Sequence, residues 1–240
     1  MTGTVAKELY DDIVFDYAAV KTNIFKSKYE ETEFWKVIGD VTGQEVLDLA
    51  CGSGYYTRQF KQKGASVVIG VDISGEMIAE AQNCESEEEL GIKYYVEDAS
   101  KYIYDPGFDT VTAQYLFCYA ESKQKLSNFC KSVYRNTKTG GRIVTVTTVL
   151  DDACNLEDMR LGYKFIPCLD GNATDTLNDG TKVDITLYSE DKKSKCCFPN
   201  FLWKPETIST LLYSSGFTSV KVLPVFNGVP VMIIVATREA

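Results

Sequence analysis

Residues 46–56, with the sequence VLDLACGSGYY, place a carboxylate and a small glycine loop at the end of an apolar run. Asp48 lies within the run, and Gly52 and Gly54 flank Ser53. Because glycine lacks a Cβ atom, such a loop lets a ligand approach the main chain closely. A carboxylate beside the loop would repel a phosphate and attract a positive charge. We therefore interpret this segment as a ligand-binding loop whose carboxylate selects the charge of the ligand.

Three further apolar runs also end on polar residues. Asp72 follows the run SVVIGV and lies 24 residues after Asp48, where an acidic residue can accept hydrogen bonds from both hydroxyls of a ribose. The other two runs end in the stretches 97–99 (EDA) and 114–115 (QY). In an open parallel sheet, ligands bind beyond the carboxyl ends of the strands. Four polar strand ends that converge on one crevice therefore predict a nucleoside site.

Two common nucleotide-binding loops do not fit this sequence. A dinucleotide fingerprint requires a third glycine at the position that Thr57 occupies. A Walker loop requires Lys followed by Ser or Thr after the glycines, and Tyr55 and Tyr56 stand there instead. Asp48 would also repel a pyrophosphate. The pattern favours a ligand whose nearby end carries an ammonium and a sulfonium.

The chain contains no histidine among its 240 residues. This excludes Ser-His-Asp and Cys-His catalysis, together with metal sites that depend on imidazole ligands. We predict no metal. The eight cysteines form no CxxC pair, which is typical of a reducing compartment, and we expect a cytoplasmic protein.

The net charge of −9 argues against a nucleic-acid partner, because binding to phosphates depends on clustered Lys and Arg. No apolar run approaches the roughly 20 residues that span a bilayer. The first residues also lack the apolar core of a signal peptide. We therefore expect neither a nucleic-acid nor a membrane partner, and the sequence leaves the oligomeric state open.

Hydrophobic periodicity predicts the elements that must position these residues. The candidate strands EVLDLA, SVVIGVD, IKYYVED, FDTVTAQY and RIVTVTTV alternate with helical patterns at about 54–63, 74–84 and 122–136. This alternation predicts a parallel sheet with helices on both faces. The pair Gly140-Gly141 is expected to end the last of these helices. Two closing strands, TSVKVLPVF and VPVMIIVAT, are joined by a short link and should pair antiparallel.

We expect a single domain in four parts. Residues 1–40 would form an N-terminal helical lid, and 41–150 the ligand-binding core. Turn signals and the alternating run TKVDITLY indicate an insertion with antiparallel strands over 151–204. Residues 205–240 would form a closing helix, begun by Pro205 and ended by Gly216, and the strand hairpin.

The motifs VLDLACGSGYYT, VDIS followed by Met77, EDAS and FDTVTAQYLF resemble the successive motifs of class I S-adenosylmethionine-dependent methyltransferases, over residues 40–150. The resemblance implies an α/β fold with a Rossmann-like, seven-stranded, mostly parallel sheet. Its implied strand order is 3-2-1-4-5-7-6, with strand 7 antiparallel, which agrees with the closing hairpin. The implied cofactor is S-adenosylmethionine (SAM), and the core over 41–150 would bind it.

At the methionine end of the cofactor, the resemblance implies that Ala50, Gly52 and Gly54 hold the methionine portion. Gln114 would offer its backbone carbonyl near the methionine amine. The adjoining Tyr115 is expected to contact the cofactor at the same strand end.

At the nucleoside end, the resemblance implies that Asp72 binds the ribose. Ile73 and Met77 would line the adenine. Asp98 would accept a hydrogen bond from the adenine amino group, and the main chain of Ala99 would contact a ring nitrogen. Asp72 could instead cap the helix that follows it.

The acceptor pocket is expected to come from the lid and the insertion. The segment YDDIVFDYAAVK is similar to the lid of small-molecule members, in which Tyr10 and Tyr17 would cover the cofactor. Their spacing is equally compatible with core positions. Aromatic rings can enclose a flat heterocycle or an ammonium group. The residues expected to bind the acceptor are Tyr17, Tyr163, Tyr188, Phe201 and Trp203.

Methyl transfer from a sulfonium is an in-line displacement, so a general base is needed only if the nucleophile holds its proton tightly. Related enzymes often carry His or Asn after the fourth strand, where this chain has Cys118. Tyr119 and Glu121 are the nearest polar substitutes and the candidate catalytic residues. Each could equally support the site by packing.

We predict an enzyme that transfers a methyl group from SAM to N or O of a small aromatic or heterocyclic metabolite. A likeness to azapteridine or toxoflavin-type N-methyltransferases points to fused nitrogen heterocycles. An amine- or betaine-forming N-methyltransferase and a non-catalytic SAM-binding regulatory module are the alternatives. A nicotinamide-dependent oxidoreductase is disfavoured by Thr57 and Asp48.

Overall fold

A computed structural model describes residues 26–168 and 177–239 of the chain. The predicted lid residues Tyr10 and Tyr17 lie outside the described residues. The described part begins with a π-helical turn, Lys26–Glu30, which leads directly into helix α1, Glu31–Ile38. Within these ranges, no helix combines the length and the apolar character needed to cross a membrane.

The remaining elements alternate as the hydrophobic pattern predicts. The first part of the fold contains β1 (Glu45–Leu49), α2 (Tyr55–Gln62), β2 (Val67–Asp72), α3 (Gly75–Glu88), β3 (Lys93–Val96), β4 (Phe108–Thr112), a 3-10 turn (Phe117–Tyr119), α4 (Lys123–Asn136) and β5 (Thr137–Thr148). The second part contains β6 (Glu157–Asp158), β7 (Tyr163–Pro167), β8 (Thr181–Tyr188), β9 (Lys195–Leu202), α5 (Pro205–Ser215), β10 (Ser219–Pro224) and β11 (Val231–Thr237).

The main sheet has seven strands in the order β10-β11-β5-β4-β1-β2-β3. Strands β1 to β5 pair in parallel, whereas β11 pairs antiparallel with both β5 and β10. Counted within this sheet, the order is 3-2-1-4-5-7-6 with an antiparallel seventh strand. This confirms the predicted Rossmann-like architecture and the closing hairpin.

Alternation along β1 distributes its side chains to two hydrophobic clusters, one on each face of the sheet. Val46 is buried in the same cluster as Phe60 of α2, whereas Leu47 is buried in the cluster that contains Leu126 of α4. Because side chains alternate along a strand, Asp48 shares the face of Val46. The carboxylate therefore points toward the side of the sheet that α2 covers.

The expected insertion contains a second sheet of four antiparallel strands, in the order β6-β7-β8-β9. It is fixed to the main sheet at the end of β5. Val149 forms a bridge with Trp203, and the amide of Leu150 donates a 3.0 Å hydrogen bond to the carbonyl of Trp203. The Trp203 indole Nε1 donates to the carbonyl of Ala120 over 2.9 Å. The second sheet thus adjoins the carboxyl ends of β4 and β5.

The prediction that Gly140-Gly141 ends a helix is wrong, because both residues lie within β5. Helix α4 ends at Asn136, whose side-chain amide donates 2.9 Å hydrogen bonds to the carbonyls of Tyr102 and Ser132. A Cβ atom on Gly141 would lie 2.9 Å from the carbonyl oxygen of Asp109. Glycine is therefore required there by close contact between main chains.

Candidate functional site

The carboxyl ends of β1, β2 and β4 lie side by side at one edge of the main sheet. From β1 the chain enters the glycine loop, residues 50–54 (ACGSG), and turns into α2. Ala50, Gly52 and Gly54 have positive φ angles of 60°, 54° and 76°. Glycine adopts this conformation without strain, but alanine does not. A strained residue that the surrounding structure holds in place is typical of a functional loop.

Asp48 places a buried carboxylate beside this loop. Its side chain is almost fully buried, and Oδ2 accepts a 2.6 Å hydrogen bond from the hydroxyl of Thr57 in the first turn of α2. A buried charge is costly unless hydrogen bonds compensate it, and the amino end of a helix also favours a carboxylate. The site therefore holds a buried carboxylate at the end where a sulfonium and an ammonium were expected.

Asp72, at the end of β2, joins the glycine loop to the start of α3. Its Oδ2 accepts a 2.8 Å hydrogen bond from the amide of Gly52, and Oδ1 accepts a 2.9 Å bond from the amide of Ser74. Carboxylate oxygens accept hydrogen bonds, which is the contact that a ribose hydroxyl requires. Asp72 therefore has a structural contact with the loop in addition to its predicted role.

The start of α3 is fixed by Ser74 rather than by Asp72. The hydroxyl of Ser74 accepts a 3.1 Å hydrogen bond from the amide of Met77, which makes Ser74 the N-cap. The Met77 side chain is buried, and its sulfur lies 3.9 Å from the position that a Cβ on Gly52 would occupy. Ile73 is half-buried beside it. Met77 therefore lies next to the glycine loop.

Asp98 and Ala99 follow β3. Burial raises the pKa of Asp98, but hydrogen bonds from the hydroxyl and amide of Ser100, at 2.7 and 2.9 Å, together with Lys125 and Lys101, outweigh it and hold this pKa below its usual value. Asp98 is therefore ionised and can only accept hydrogen bonds, as a contact with an amino group requires. The carbonyl of Ala99 accepts a hydrogen bond from the hydroxyl of Ser132, which ties this loop to α4.

Gln114 uses its side chain to hold the end of β4. Its Oε1 accepts a 2.7 Å hydrogen bond from the amide of Val146, and its Nε2 donates a 3.0 Å bond to the hydroxyl of Thr112. The next residue, Tyr115, has a positive φ of 59°. Since the Gln114 side chain is engaged in the sheet, its contribution to a ligand would come from the backbone carbonyl, as predicted.

A group of carboxylates and phenols lies beside the glycine loop and was missed by the sequence interpretation. The hydroxyl of Tyr56 donates a 2.8 Å hydrogen bond to Oε1 of Glu30, and that of Tyr115 donates to Oε2 of the same carboxylate. The hydroxyl of Tyr55 donates to Glu31. No spacing rule links residues so far apart in the chain, so the sequence offers no signal for these contacts.

The predicted catalytic residues lie just after β4. Tyr119 is partly buried in the 3-10 turn and packs against the same hydrophobic cluster as Tyr115, and Glu121 is half-buried two residues further on. Cys118 directly precedes Tyr119 and is buried, and burial raises the pKa of its thiol to about 12. The thiol is therefore not a nucleophile near neutral pH.

The register of the second sheet separates the rings that were expected to bind the acceptor. Tyr163 on β7 pairs with Leu187 on β8, so the next residue, Tyr188, points to the opposite face. Phe201 pairs with Lys182 and shares the face of Tyr188. These rings therefore do not line a single pocket.

The two faces also contact different parts of the core. Tyr163 belongs to the hydrophobic cluster against which Tyr115 and Tyr119 pack. Phe201 and Trp203 belong to the cluster on the other face of the main sheet. With its indole 5% exposed and its N–H bonded to Ala120, Trp203 packs between the second sheet and the segment after β4.

Comparison with known proteins matches residues 46–141 to a family described as "Methyltransferase domain". The demethylmenaquinone methyltransferase of Tropheryma whipplei (strain Twist) is 32% identical over 181 residues, which cover 70% of this chain and 72% of that protein. The demethylmenaquinone methyltransferase of Lactococcus lactis subsp. lactis (strain IL1403) is 27% identical over 151 residues, or 59% of this chain. The chain spans 58% of the length of that second relative.

The fold has close counterparts among solved structures. The crystal structure of a S-adenosylmethionine-dependent methyltransferase from Clostridium acetobutylicum ATCC 824 matches with a TM-score of 0.65, and the match covers 99% of both chains. The two sequences are 18% identical, so this likeness concerns the fold alone.

Proposed function

The chain belongs to the class I S-adenosylmethionine-dependent methyltransferases, and from this membership we propose that it transfers a methyl group to a nitrogen or oxygen atom of a small aromatic or heterocyclic metabolite. The observation that carries the proposal is the pair of buried carboxylates, Asp48 and Asp72, that flank the glycine loop at the edge of the sheet. This pair suits a ligand that joins a cationic end to a ribose.

The donor set fits SAM better than it fits a phosphate-bearing nucleotide. Asp48 would lie near the positively charged methionine end, where a pyrophosphate would be repelled. Asp72 carries carboxylate oxygens that can accept hydrogen bonds from ribose hydroxyls, and ionised Asp98 can accept one from an adenine amino group. The buried side chain of Met77 supplies an apolar contact for the base. These residues come from the ends of β1, β2 and β3 and from the start of α3.

The second sheet supports a small acceptor. It is joined to the end of β5 and to the segment after β4, next to the proposed methionine site. Its Tyr163 face shares a hydrophobic cluster with the neighbourhood of Tyr115 and Tyr119. We therefore place the acceptor on this face, with Tyr163 as an aromatic contact. Both curated relatives are named for demethylmenaquinone, which supports a metabolite rather than a macromolecule as the acceptor.

In this proposal the protein acts mainly by positioning the reactants. SAM supplies the methyl group on a sulfonium when bound. The glycine loop and the end of β4 align that group, and the second sheet excludes water from the approach of the acceptor. Tyr119 and Glu121 are candidates for accepting a proton, which an acceptor with a tightly held proton would require.

A melting experiment tests the cofactor first. SAM and S-adenosylhomocysteine should raise the melting temperature, whereas NAD and ATP should not, because only a ligand that binds the folded state stabilises it. Stabilisation by NAD alone would overturn both the cofactor site and the class of reaction.

A second experiment tests catalysis. Purified protein is incubated with methyl-labelled SAM and metabolite extracts, and the transfer of label and the formation of S-adenosylhomocysteine are followed. Label in a small molecule supports the proposal. SAM binding without turnover in any extract would favour a regulatory SAM-binding module. Asp191→Ala is a suitable control, since Asp191 is an exposed carboxylate in the turn between β8 and β9 that accepts a 3.1 Å hydrogen bond from the Lys193 amide.

A further inference from the structure

Glu30 is a buried carboxylate that contacts two separate parts of the fold. Its side chain is 1% exposed. One oxygen accepts a 2.8 Å hydrogen bond from the hydroxyl of Tyr56, and the other accepts a hydrogen bond from the hydroxyl of Tyr115. The donors are 26 and 85 residues away in sequence. One side chain therefore links α2 and the end of β4, which are far apart in sequence.

The two tyrosines belong to the two elements that hold the methionine end of the cofactor in the proposed function. Tyr56 lies in the first turn of α2, two residues after Gly54 of the glycine loop. Tyr115 directly follows Gln114 at the end of β4 and has a positive φ of 59°. A cofactor held by Gly54 and by the carbonyl of Gln114 would have to span the space between the start of α2 and the end of β4.

We propose that Glu30 is a positioning residue of the cofactor site, which sets the distance between the glycine loop and the end of β4. The proposal rests on the proposed function, in which SAM lies across these two elements. Glu30 itself need not touch the cofactor. Through Tyr56 it holds the start of α2, and through Tyr115 it holds a strained main chain in the conformation that the site requires.

The chemistry of the three groups explains why such a bridge is rigid. Hydrogen bonds to a carboxylate are shorter and stronger than those between neutral groups. Burial and the Glu30 charge raise the pKa of Tyr56 well above its usual value, so the phenol remains a donor. A residue keeps a strained φ angle only when several contacts with its surroundings hold it in place. The hydrogen bond from the Tyr115 hydroxyl to Glu30 is one of these contacts.

Neighbouring Glu31 provides a matched control. It also lies at the start of α1, and its carboxylate also accepts a hydrogen bond from a tyrosine of α2, namely Tyr55. The difference is that Glu30 is joined in addition to the end of β4. Glu30→Ala should therefore weaken the binding of S-adenosylhomocysteine, measured by calorimetry, about tenfold, whereas Glu31→Ala should change it less than about twofold.

Two further comparisons separate positioning from general destabilisation. Tyr56→Phe and Tyr115→Phe each break the link that Glu30 makes between α2 and the end of β4. The affinity of the double variant for S-adenosylhomocysteine should therefore lie within about twofold of that of the weaker single variant. Glu30→Gln keeps one side-chain oxygen that can accept a hydrogen bond. Its amide N–H group can donate a hydrogen bond to a phenol oxygen. It should restore affinity to within about threefold of the unaltered protein. All titrations are run well below the melting temperature of each variant.

The outcomes are distinct. If the unaltered protein fails to bind S-adenosylhomocysteine, the proposed function itself fails. If it binds and Glu30→Ala binds equally well, the positioning role is overturned while the proposed function stands. Equal losses in Glu30→Ala and Glu31→Ala, additive losses in the two phenylalanine variants, or a Glu30→Gln variant as weak as Glu30→Ala would also overturn it.

Discussion

The hydroxyl of Thr57 donates a 2.6 Å hydrogen bond to Oδ2 of Asp48, which ties the first turn of α2 to β1 across the glycine loop. In a dinucleotide-binding loop the position of Thr57 is a glycine, which lets the helix approach the strand closely. Here the position holds a fully buried side chain that stabilises a carboxylate. The residue that departs from the dinucleotide fingerprint therefore supports the carboxylate that we propose selects the ligand.

Thr57→Val tests this contact. The substitution keeps the branched shape and removes the hydroxyl, so Asp48 stays buried with one hydrogen bond fewer. The free energy of unfolding should fall by about 1.5–3 kcal/mol, measured by urea denaturation at pH 7. The control, Thr210→Val, removes an exposed hydroxyl of α5 that bonds only to a helix carbonyl, and it should change stability by less than about 0.5 kcal/mol. Equal stabilities for both variants would contradict the role of Thr57.

Asp72→Ala should affect both stability and cofactor affinity. The amides of Gly52 and Ser74 lose their charged acceptor, and the ribose hydroxyls lose theirs. We expect SAM affinity to fall by about 1.5–3 kcal/mol for each bond lost, measured by calorimetry. The control, Asp158→Ala, also removes a carboxylate that accepts a hydrogen bond from a main-chain amide, that of Arg160. It should leave SAM affinity unchanged. Unchanged SAM affinity in Asp72→Ala would remove Asp72 from the ribose site.

Stability at alkaline pH should depend on Tyr56. Burial, followed by the charge of Glu30 and the hydrogen bond to it, raises the pKa of Tyr56 well above 10 in the folded state. A phenol in the unfolded chain ionises near pH 10, so the folded state binds more protons above that pH. The stabilisation is fully present below pH 10 and is lost as the pH rises toward the raised pKa.

The corresponding slope is about 1.4 kcal/mol per pH unit for one group. Urea denaturation at several values between about pH 10 and 12 should therefore show a shallower decline in Tyr56→Phe than in the unaltered protein. Tyr213→Phe, at a residue that is 49% exposed, controls for the loss of a phenol hydroxyl at pH 7. Parallel declines would show that Tyr56 does not contribute to this dependence.

Trp203→Ala should lower stability more than any surface substitution. The indole is buried against the segment after β4, and a Cβ on Gly180 would lie 2.8 Å from its ring. We expect a loss of about 3–5 kcal/mol in urea denaturation, with Trp203→Phe intermediate because it loses mainly the hydrogen bond to Ala120. Normal stability combined with weaker acceptor binding would instead place Trp203 in the acceptor pocket.

The main sheet could be predicted because each strand and helix shows its own hydrophobic period in a local stretch of sequence. The positions of Asp48 and Asp72 followed from the same pattern, because carboxyl ends of parallel strands meet at one edge. The second sheet could be predicted only in part. Its strand β8 alternates clearly, whereas β9, with the sequence KCCFPNFL, carries a proline and two adjacent cysteines that obscure the period.

The contacts of Glu30 and the separation of the rings could not be predicted. Both depend on which elements meet in space, and a single sequence contains no rule that pairs Glu30 with Tyr115, 85 residues away. Tyr163 and Tyr188 were grouped by residue type, but a register set by tertiary packing directs them to opposite faces. The expectation that Gly140-Gly141 would end α4 was wrong because β5 begins at Thr137, directly after the helix.

The position of β11 has a consequence for how this protein is made. It is the last of the described strands in the chain, yet it lies inside the sheet, between β5 and β10. While the ribosome is still synthesising the preceding segments, β5 has an open row of main-chain donors and acceptors on that side. Such an edge can pair with other nascent chains. This edge of β5 is closed only when residues 231–237 pair with it.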